Sequence, residues 1–582
     1  MANLKEMESA KETGSLSSTS LHKQGYAQAT SSKGGAFKRA LASFKRHEPV
    51  LPDDVDLSVL TEYERSNYLL AHQPYQKALS QRHLTMISIG GTLGTGLFIG
   101  IGQSLQSGPG TLLIGFLIVG VSIFCVIQSA AELSCQYPVS GSFSSHVSRF
   151  IEPSLGFTVS CAYALSWLIS FPNELVGLAM TIGYWNEDIP PAVWVLIGYL
   201  LVIGLNLFAV RGFAESEFWL SIIKVLAIII FLIIGIVIIC GGGPNNKEGY
   251  LGGKYWHDPG AFRPPFFSSL CQTFVSAAFT FGGAELVLLT ANESRKIESI
   301  SRAAKGTFWR IAIFYISTVI VIGCLVPYTS PALDGESIRA SPFVIALSNT
   351  GSFGTNVSHF MNAVIVAAVL SVCNSCVYAA SRVIQSLGAC GQLPEIFGYI
   401  DKKGRPLVGI GVCAVFGLLA FLVETTKVKD VFNWLFALCS IAAFFVWFCI
   451  CVSQLRYRRA LKVQGFPTEE IAYQSMLGKW SGVIGTLLNF LLICGEIYVS
   501  VKDGDVETFF QNCMSIPLLI IFYFCHRLYR RDWKTWLIPA RDLDLNTGRK
   551  PEDLEMMKHE LIVSRARIAS SPWYYRAYRF WC

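Results

Sequence analysis

Long apolar blocks separated by short polar stretches dominate the chain from about residue 84 onward. Pro191 to Val210, Ile311 to Tyr328 and Val431 to Leu455 each run without a charged side chain. About 20 apolar residues in an α-helix cross a hydrocarbon core of roughly 30 Å. The pattern therefore predicts an all-α, polytopic membrane protein.

Twelve apolar segments of this kind divide the central part of the chain. Their approximate bounds are 84–106, 111–135, 157–184, 191–210, 217–240, 267–290, 309–328, 357–382, 407–424, 431–455, 481–501 and 508–527. We expect these transmembrane helices to form one transporter domain over residues 83–527. Residues 1–82 are polar and lack an apolar signal-peptide core, which predicts a mostly disordered cytosolic tail without a cleavable signal. Residues 528–582 are polar and charged and predict a cytosolic C-terminal tail.

Composition and the placement of charge agree with this interpretation. Hydrophobic residues make up 52% of the 582 residues and charged residues 15%, whereas a soluble domain carries about 25% charge. The net charge is only +7, but basic residues concentrate in the first tail and in alternate connections, which contain Arg46, Arg295, Lys402 and Arg456. Because basic loops tend to stay on the cytosolic side, both termini are predicted to be cytosolic.

Glycines interrupt two of the predicted helices at corresponding positions. Segment 1 contains four glycines from Gly90 to Gly96, and segment 6 contains Gly282 and Gly283, followed by the acidic Glu285. Small residues also serve helix packing in membranes, which is the alternative explanation. Matching interruptions five segments apart favour an inverted-repeat transporter with its binding site at the membrane midplane.

Broken helices provide the groups that bind a zwitterion. Unwinding exposes backbone amides at a half-helix N-terminus, where the positive end of the helix dipole favours a carboxylate. It also frees backbone carbonyls, which accept hydrogen bonds from an ammonium group, and glycine lets the ligand approach the backbone closely. The two breaks therefore predict a site for an α-amino acid.

Several ionisable residues lie within or near the predicted helices, where a charge costs about 2.5–3.5 kcal/mol on insertion scales. Lys224 is the one charged residue between Leu220 and Cys240, and Glu285 adjoins a helix break, so we interpret both as proton-coupling residues. Glu132 and Glu496 are interpreted as structural. For Glu174, substrate contact and structural pairing remain open.

Proton coupling is energetically sufficient for uptake. One charge crossing about 100 mV gains roughly 2.3 kcal/mol, enough for about fifty-fold accumulation. The sequence contains no Walker A pattern and no H-E-x-x-H motif, so we expect a non-enzymatic protein without a cofactor. Cys373 and Cys376 have no second cysteine pair nearby, so we expect no metal site, and we expect no nucleic-acid partner.

Several sequence segments resemble fungal amino-acid permeases of the amino acid–polyamine–organocation superfamily. They are QRHLTMISIGGTLGTGLFIG, PVSGSF, FAESEFWLSIIKVLAI, GGKYWHDPGAF, ASPFVIAL, KKGRPLVG and the closing FWC. The resemblance runs from about Tyr75 to Cys582. It implies a 5+5 inverted repeat with broken helices 1 and 6 plus two additional helices, in a plasma-membrane proton symporter.

The resemblance also implies roles for individual residues. In relatives, backbone groups of the two broken helices hold the substrate carboxylate and amino group. The matching positions here are Leu93, Gly94, Thr95, Gly96, Phe281 and Gly282. Phe279 matches an aromatic gate, with a core aromatic as the alternative, and Lys224 matches a lysine linked to proton coupling. The terminal Cys582 resembles a palmitoylation site that would contact membrane lipid, and lysines in the tails are possible ubiquitin acceptors.

Four further segments are most similar to the S-adenosylmethionine permease subgroup. They are HQPYQKALSQRHL, QSAAELSCQYPVSG, ESISRAAKGTFWRIAIFYI and SVCNSCVYAASR. We expect small residues at Gly282, Gly283 and Ala284 to leave room for the adenosyl group, with Glu174 as counter-charge for the sulfonium. A broad general amino-acid permease and a non-transporting amino-acid sensor on the same fold are the alternatives, and a channel is disfavoured.

Overall fold

A computed structural model describes most of the helical part of the chain. The described residues are 43–47, 79–90, 93–139, 141–185, 188–208, 210–242, 249–289, 298–334, 341–348, 352–425, 428–467, 473–502, 513–531 and 536–547, with a few shorter pieces elsewhere. The chain divides into two units, residues 1–46 and residues 47–582, and the fold below belongs to the second. Most of the predicted N-terminal tail lies outside the described residues.

The described residues are almost entirely helical and include no β-strand. The first helices are α1 (Gln81–Gly90), α2 (Gly96–Leu105), α3 (Pro109–Gln136), α4 (Phe143–Phe150), α5 (Pro153–Ile182), α6 (Pro191–Asn206) and α7 (Val210–Ile239). The next are α8 (Phe266–Phe281), α9 (Leu286–Leu289), α10 (Glu298–Arg310), α11 (Ser317–Leu325), α12 (Pro342–Ser348) and α13 (Ser352–Ala389). The last are α14 (Leu407–Gly417), α15 (Val428–Val463), α16 (Lys479–Lys502) and α17 (Ser515–Arg530).

Short stretches of wider or tighter helix connect or extend several of these elements. The π-helical turns are Gly96–Gly100, which opens α2, Trp256–Gly260 and Ile311–Ile316. The 3₁₀ turns are Pro331–Asp334, Glu395–Gly398 and Leu418–Glu424. Turns of both kinds are frequent where helices begin, end or carry a functional irregularity.

Eight helical segments of the described part are long and apolar enough to cross a membrane, and three more apolar helices are shorter. Each of the twelve predicted segments coincides with helix in the structure. The first is divided between α1 and α2 and the sixth between α8 and α9, as the glycine patterns predict. The twelfth, predicted at 508–527, corresponds to α17, which begins later and runs on to Arg530.

The degree of burial separates central from peripheral helices. Most of α8–α9 and α13 is buried inside the protein, whereas α7 exposes apolar side chains such as Trp219, Leu226 and Ile233 along one side. α5 packs against α13 and α15, and α8 packs against α2, α3 and α15. The interrupted helices are therefore surrounded by protein, while α7 offers one face to lipid.

A buried ion pair joins α3 to α15 on the predicted cytosolic side. Arg458 donates to both carboxylate oxygens of Glu132, over 2.7 Å from Nε and 2.6 Å from Nη2. The backbone amide of Ser475 donates to the same carboxylate over 2.9 Å. The prediction that Glu132 has a structural role is confirmed by these contacts.

Part of the predicted C-terminal tail packs on the helical domain. Leu543 and Leu545 are buried in a small apolar cluster with Phe150 and Tyr457, apart from the main core. The Tyr137 hydroxyl donates to the Leu545 carbonyl over 3.0 Å. Residues 536–547, called here the docked segment, thus cover the ends of α3, α4 and α15.

Charged and polar contacts hold the docked segment in place. Arg149 of α4 donates to the Thr547 carbonyl over 2.7 Å and lies 3.7 Å from the Asp544 carboxylate. Burial by itself raises the pKa of Asp544, but Arg149 and the amides of Thr547 and Asn546 outweigh it and hold that pKa below its usual value. Arg456 of α15 donates to the Ile538 carbonyl.

Replacing Arg458 by leucine should destabilise the protein. The substitution leaves the buried Glu132 carboxylate without its cation, and breaking a buried pair in this way costs about 3–5 kcal/mol. We expect a clearly lower midpoint of thermal denaturation for the detergent-solubilised protein. The matched control is Arg541→Leu, because the Arg541 and Asp542 side chains are 80% and 58% exposed. Equal midpoints for the two variants would contradict the prediction.

Candidate substrate-binding site

The sixth predicted segment is interrupted immediately after Phe281. Gly282 leaves the helical conformation with a ψ of 140°, and Gly283 follows with a φ of +87°. A positive φ is readily adopted only by glycine, so Gly283 is the residue type that this break requires. Helical structure resumes at Leu286, leaving four residues of non-helical backbone between α8 and α9.

The first predicted segment is also interrupted, and its break lies next to the break in the sixth segment. α1 ends at Gly90 and α2 begins at Gly96, with Leu93 and Gly94 outside regular helix. A Cβ atom on Gly96 would lie 2.8 Å from the Cα of Thr280, just before the second break. The absence of a side chain at Gly96 therefore allows the two broken helices to touch.

A cavity lies where the two breaks meet. Concave sites lined by apolar and aromatic side chains with a few polar groups are typical of small-molecule binding. Residues of α2, α5, α8, α13 and α15 surround it. The lining consists of Gly94, Gly96, Tyr163, Ser166, Trp167, Ser170, Glu174, Ala278, Phe279, Gly282, Gly283, Glu285, Val372, Cys439, Ala443, Val446 and Trp447.

Glu174 of α5 links the cavity to the first break. Its side chain is buried, and its Oε1 accepts a hydrogen bond of 2.7 Å from the Thr95 hydroxyl. Its Oε2 has no hydrogen-bond partner among the residues that the structure describes. Pro172, two residues earlier in α5, has no amide hydrogen to donate and so weakens the helix beside this carboxylate. Glu174 therefore presents an unpaired oxygen at the cavity.

Glu285 holds an equivalent position at the second break. Glu285 is 3% exposed, and in the described part of the chain its Oε2 also lacks a hydrogen-bond partner. The guanidinium of Arg310 and the indole of Trp447 are close to the same carboxylate. The cavity thus contains two acidic side chains from different elements, each with an oxygen left for a ligand or a proton.

Lys224 belongs to an ion-pair network beside the cavity. Its Nζ donates to the Ser371 hydroxyl over 2.7 Å and lies 3.5 Å from Glu217 Oε1. Ser371 in turn donates to Glu217 Oε2 over 2.6 Å. Glu217 lies two helical turns before Lys224 on α7, a separation that their long side chains bridge.

The structure brings most of the predicted site residues together. Gly94, Gly96, Phe279, Gly282 and Glu174 line the cavity with Glu285. The remaining predicted binding residues are Leu93, Thr95 and Phe281, which are buried around the breaks but are not part of the lining. Lys224 is also outside the lining, and Cys582 lies outside the described residues.

Sequence reasoning missed the aromatic and small residues that complete the lining. On α5, Tyr163, Ser166, Trp167 and Ser170 recur every three or four residues and share a face with Glu174. A polar and aromatic stripe along an apolar helix is the signal that would have found them. The residues contributed by α13 and α15 have no comparable pattern, because only tertiary packing brings them to the site.

Comparison with known proteins decides the family. Residues 83–539 match the amino acid permease family over most of the chain. The chain belongs to this family. The permease is accordingly a multi-pass membrane transporter of amino acids rather than an enzyme.

Two relatives from Saccharomyces cerevisiae place the permease more closely within the family, and one solved structure shares its fold. It is 63% identical to an S-adenosylmethionine permease, an alignment that covers 94% of this chain and 95% of the relative. It is 58% identical to S-methylmethionine permease 1, covering 93% and 94%. A crystal structure of a manganese transporter from Eremococcus coleocola shares the fold at 14% identity, with a TM-score of 0.50 over 84% of this chain and 98% of that one. The predicted subgroup resemblance is confirmed.

Gly94→Ala should weaken substrate binding by the permease. A Cβ atom at this position would lie 2.7 Å from Val372 Cγ2 and 3.3 Å from Glu174 Oε1. The added methyl group would displace Val372 and Glu174 at the cavity wall, so we expect KM for uptake to rise about tenfold, a loss of about 1.4 kcal/mol of binding free energy. Gly306→Ala on α10 is the control, because its Cβ would have no atom within 4 Å. An unchanged KM for Gly94→Ala at normal surface expression would refute the expectation.

Proposed function

We propose that the permease carries S-adenosylmethionine into the cell with protons across the plasma membrane. The observation that supports this most directly is the buried cavity at two helix breaks, with two acidic side chains that each have an unpaired oxygen. The names of the two relatives are consistent with it, because S-adenosylmethionine and S-methylmethionine are both sulfonium amino acids. The substrate therefore has an α-amino-acid head and a cationic side chain.

The α-amino-acid head would occupy the two helix breaks. The amides of Gly94, Thr95 and Gly96 open α2, where the first amides of a helix have no partner within it and favour a carboxylate. Backbone carbonyls near Leu93, Phe281 and Gly282 would accept hydrogen bonds from the ammonium group. Phe279, half-buried at the cavity, would cover the head as a gate.

The side chain of the substrate would extend past the second break. Gly282, Gly283 and Ala284 leave this part of the cavity without bulk, and Glu174 supplies a carboxylate for the sulfonium. Gly283→Leu should therefore exclude S-adenosylmethionine. Its strained φ makes expression at the surface a necessary control for that variant.

Proton coupling is assigned to Lys224 and Glu285. Lys224 is fully buried and shares its charge with Glu217 through direct contact and through Ser371. A lysine–carboxylate pair in a low-dielectric setting can exchange a proton without leaving an isolated charge. Glu285 adjoins a broken helix, so its protonation would follow rearrangement of that break.

The proposed architecture is twelve transmembrane helices arranged as a 5+5 inverted repeat plus two, with both termini cytosolic. The divided first and sixth segments support the repeat, and the distribution of basic loops supports the orientation. Palmitoylation of Cys582 and attachment of ubiquitin to tail lysines belong to the same proposal. An acylated C-terminus would hold the end of the chain at the lipid surface.

Uptake of labelled S-adenosylmethionine in permease-deficient yeast tests the function. We expect protonophore-sensitive accumulation that few ordinary amino acids compete with. Suppression by many amino acids would indicate a broad general permease instead. Binding without accumulation, at normal surface expression, would indicate a sensor.

Lys224→Met should separate binding from accumulation. Removal of the ammonium group leaves Glu217 without its partner, so we expect concentrative uptake to fall at least tenfold, the loss of roughly 1.4 kcal/mol of coupling. Exchange of labelled for unlabelled substrate across the membrane, which needs no net proton movement, should persist. Lys502→Met is the control, since Lys502 is exposed at the end of α16. Full accumulation by Lys224→Met would remove this residue from the mechanism.

A further inference from the structure

Besides Phe279, three large aromatic side chains line the cavity near its two acids. Tyr163 and Trp167 lie one turn apart on α5, with ring centroids 5.9 Å apart in an edge-to-face arrangement. Trp447 approaches from α15, which packs against α5. All three are more than nine-tenths buried, so their ring faces are held away from water.

The titratable groups beside these rings are mainly acidic, so they attract a positive charge. Within the described part of the chain, Glu174 Oε2 and Glu285 Oε2 have no hydrogen-bond partner. Tyr163 and Trp447 both lie close to Glu285. The nearest side-chain cations described for these acids, Lys224 and Arg310, are outside the cavity lining. The cavity therefore favours a ligand that brings its own positive charge.

Aromatic faces select for a particular kind of cation. A sulfonium or quaternary ammonium group carries its charge without any N–H or O–H, so it cannot donate a conventional hydrogen bond. Ring faces attract such a cation through their quadrupole, and the attraction reaches about 2 kcal/mol or more in sites without water. A lysine ammonium, by contrast, needs three hydrogen-bond acceptors when it is buried.

We infer that Tyr163, Trp167 and Trp447 form an aromatic cage that binds the methylsulfonium group of the substrate, with Glu174 and Glu285 supplying the surrounding negative charge. The inference rests on the proposed function. A cage of this kind would accept sulfonium amino acids of different size. The cage would recognise the S-methyl group and the positive charge, and would place little constraint on the rest of the substrate's side chain.

The cage predicts discrimination between a sulfonium and the thioether of nearly the same shape. S-methylmethionine and methionine differ by one methyl group and one charge, as do S-adenosylmethionine and S-adenosylhomocysteine. In the wild type, each sulfonium should compete better than its thioether. Because the first pair has no adenine, it separates recognition of the sulfonium from stacking of a base on the tryptophans.

For each pair, the experiment measures the inhibition constant of the thioether divided by that of the sulfonium. The variants are Trp447→Leu, Trp447→Phe and Trp167→Leu. Uptake in yeast and binding to the purified full-length protein are both recorded, so that the ratios are obtained even for a variant that does not transport. Trp480→Leu is the matched control, because Trp480 on α16 is 57% exposed. Surface expression is measured for every variant.

We expect the inhibition constant of methionine divided by that of S-methylmethionine to fall about tenfold in Trp447→Leu. This is in line with the strength of a buried cation–π contact. Trp447→Phe should keep most of the discrimination, because a ring face remains. Trp167→Leu should also lower the ratio, and it decides the question if Trp447→Leu does not fold. The cage would be refuted if the variants lost affinity equally for sulfonium and thioether. It would also be refuted if discrimination fell only for the adenosyl pair. A wild type that binds S-methylmethionine selectively but does not take up S-adenosylmethionine would instead reject the proposed function alone.

Discussion

Unpaired backbone groups cannot be exposed to hydrocarbon, and the structure of this permease depends on that constraint. Each unsatisfied amide or carbonyl in lipid costs several kcal/mol, so non-helical backbone persists at membrane depth only where protein surrounds it or a cavity receives it. The interrupted stretches at Leu93–Gly94 and Gly282–Glu285 meet this condition. α5, α13 and α15 enclose them, and the cavity between them is therefore a direct product of the broken helices.

The buried charges follow the same rule in two different ways. Glu132 with Arg458, and Lys224 with Glu217, are satisfied by partners inside the protein. Among the described residues, the acids of the cavity each keep an oxygen without a hydrogen-bond partner, at a site lined by aromatic rings. In the two pairs the charge is compensated inside the protein, whereas at the cavity a ligand is expected to supply the missing charge.

Local sequence signals were sufficient for the helices, for both breaks and for the acids of the cavity. Glycine clusters and uncharged runs are short-range features, so each predicts structure at its own position. The pairing of Lys224 with Ser371 was out of reach, because it joins residues far apart in the chain. The contribution of Trp447 was hidden for the same reason, whereas the stripe that contains Trp167 was visible in the helical spacing and was overlooked.

The docked segment at residues 536–547 can pack in place only late in folding. Leu543 and Leu545 find their apolar surroundings only when α3, α4 and α15 are already assembled. An incomplete or misassembled helix bundle would leave those leucines, and the carboxylate of Asp544, open to water and to other proteins. Docking of this segment therefore requires the membrane domain to be assembled first.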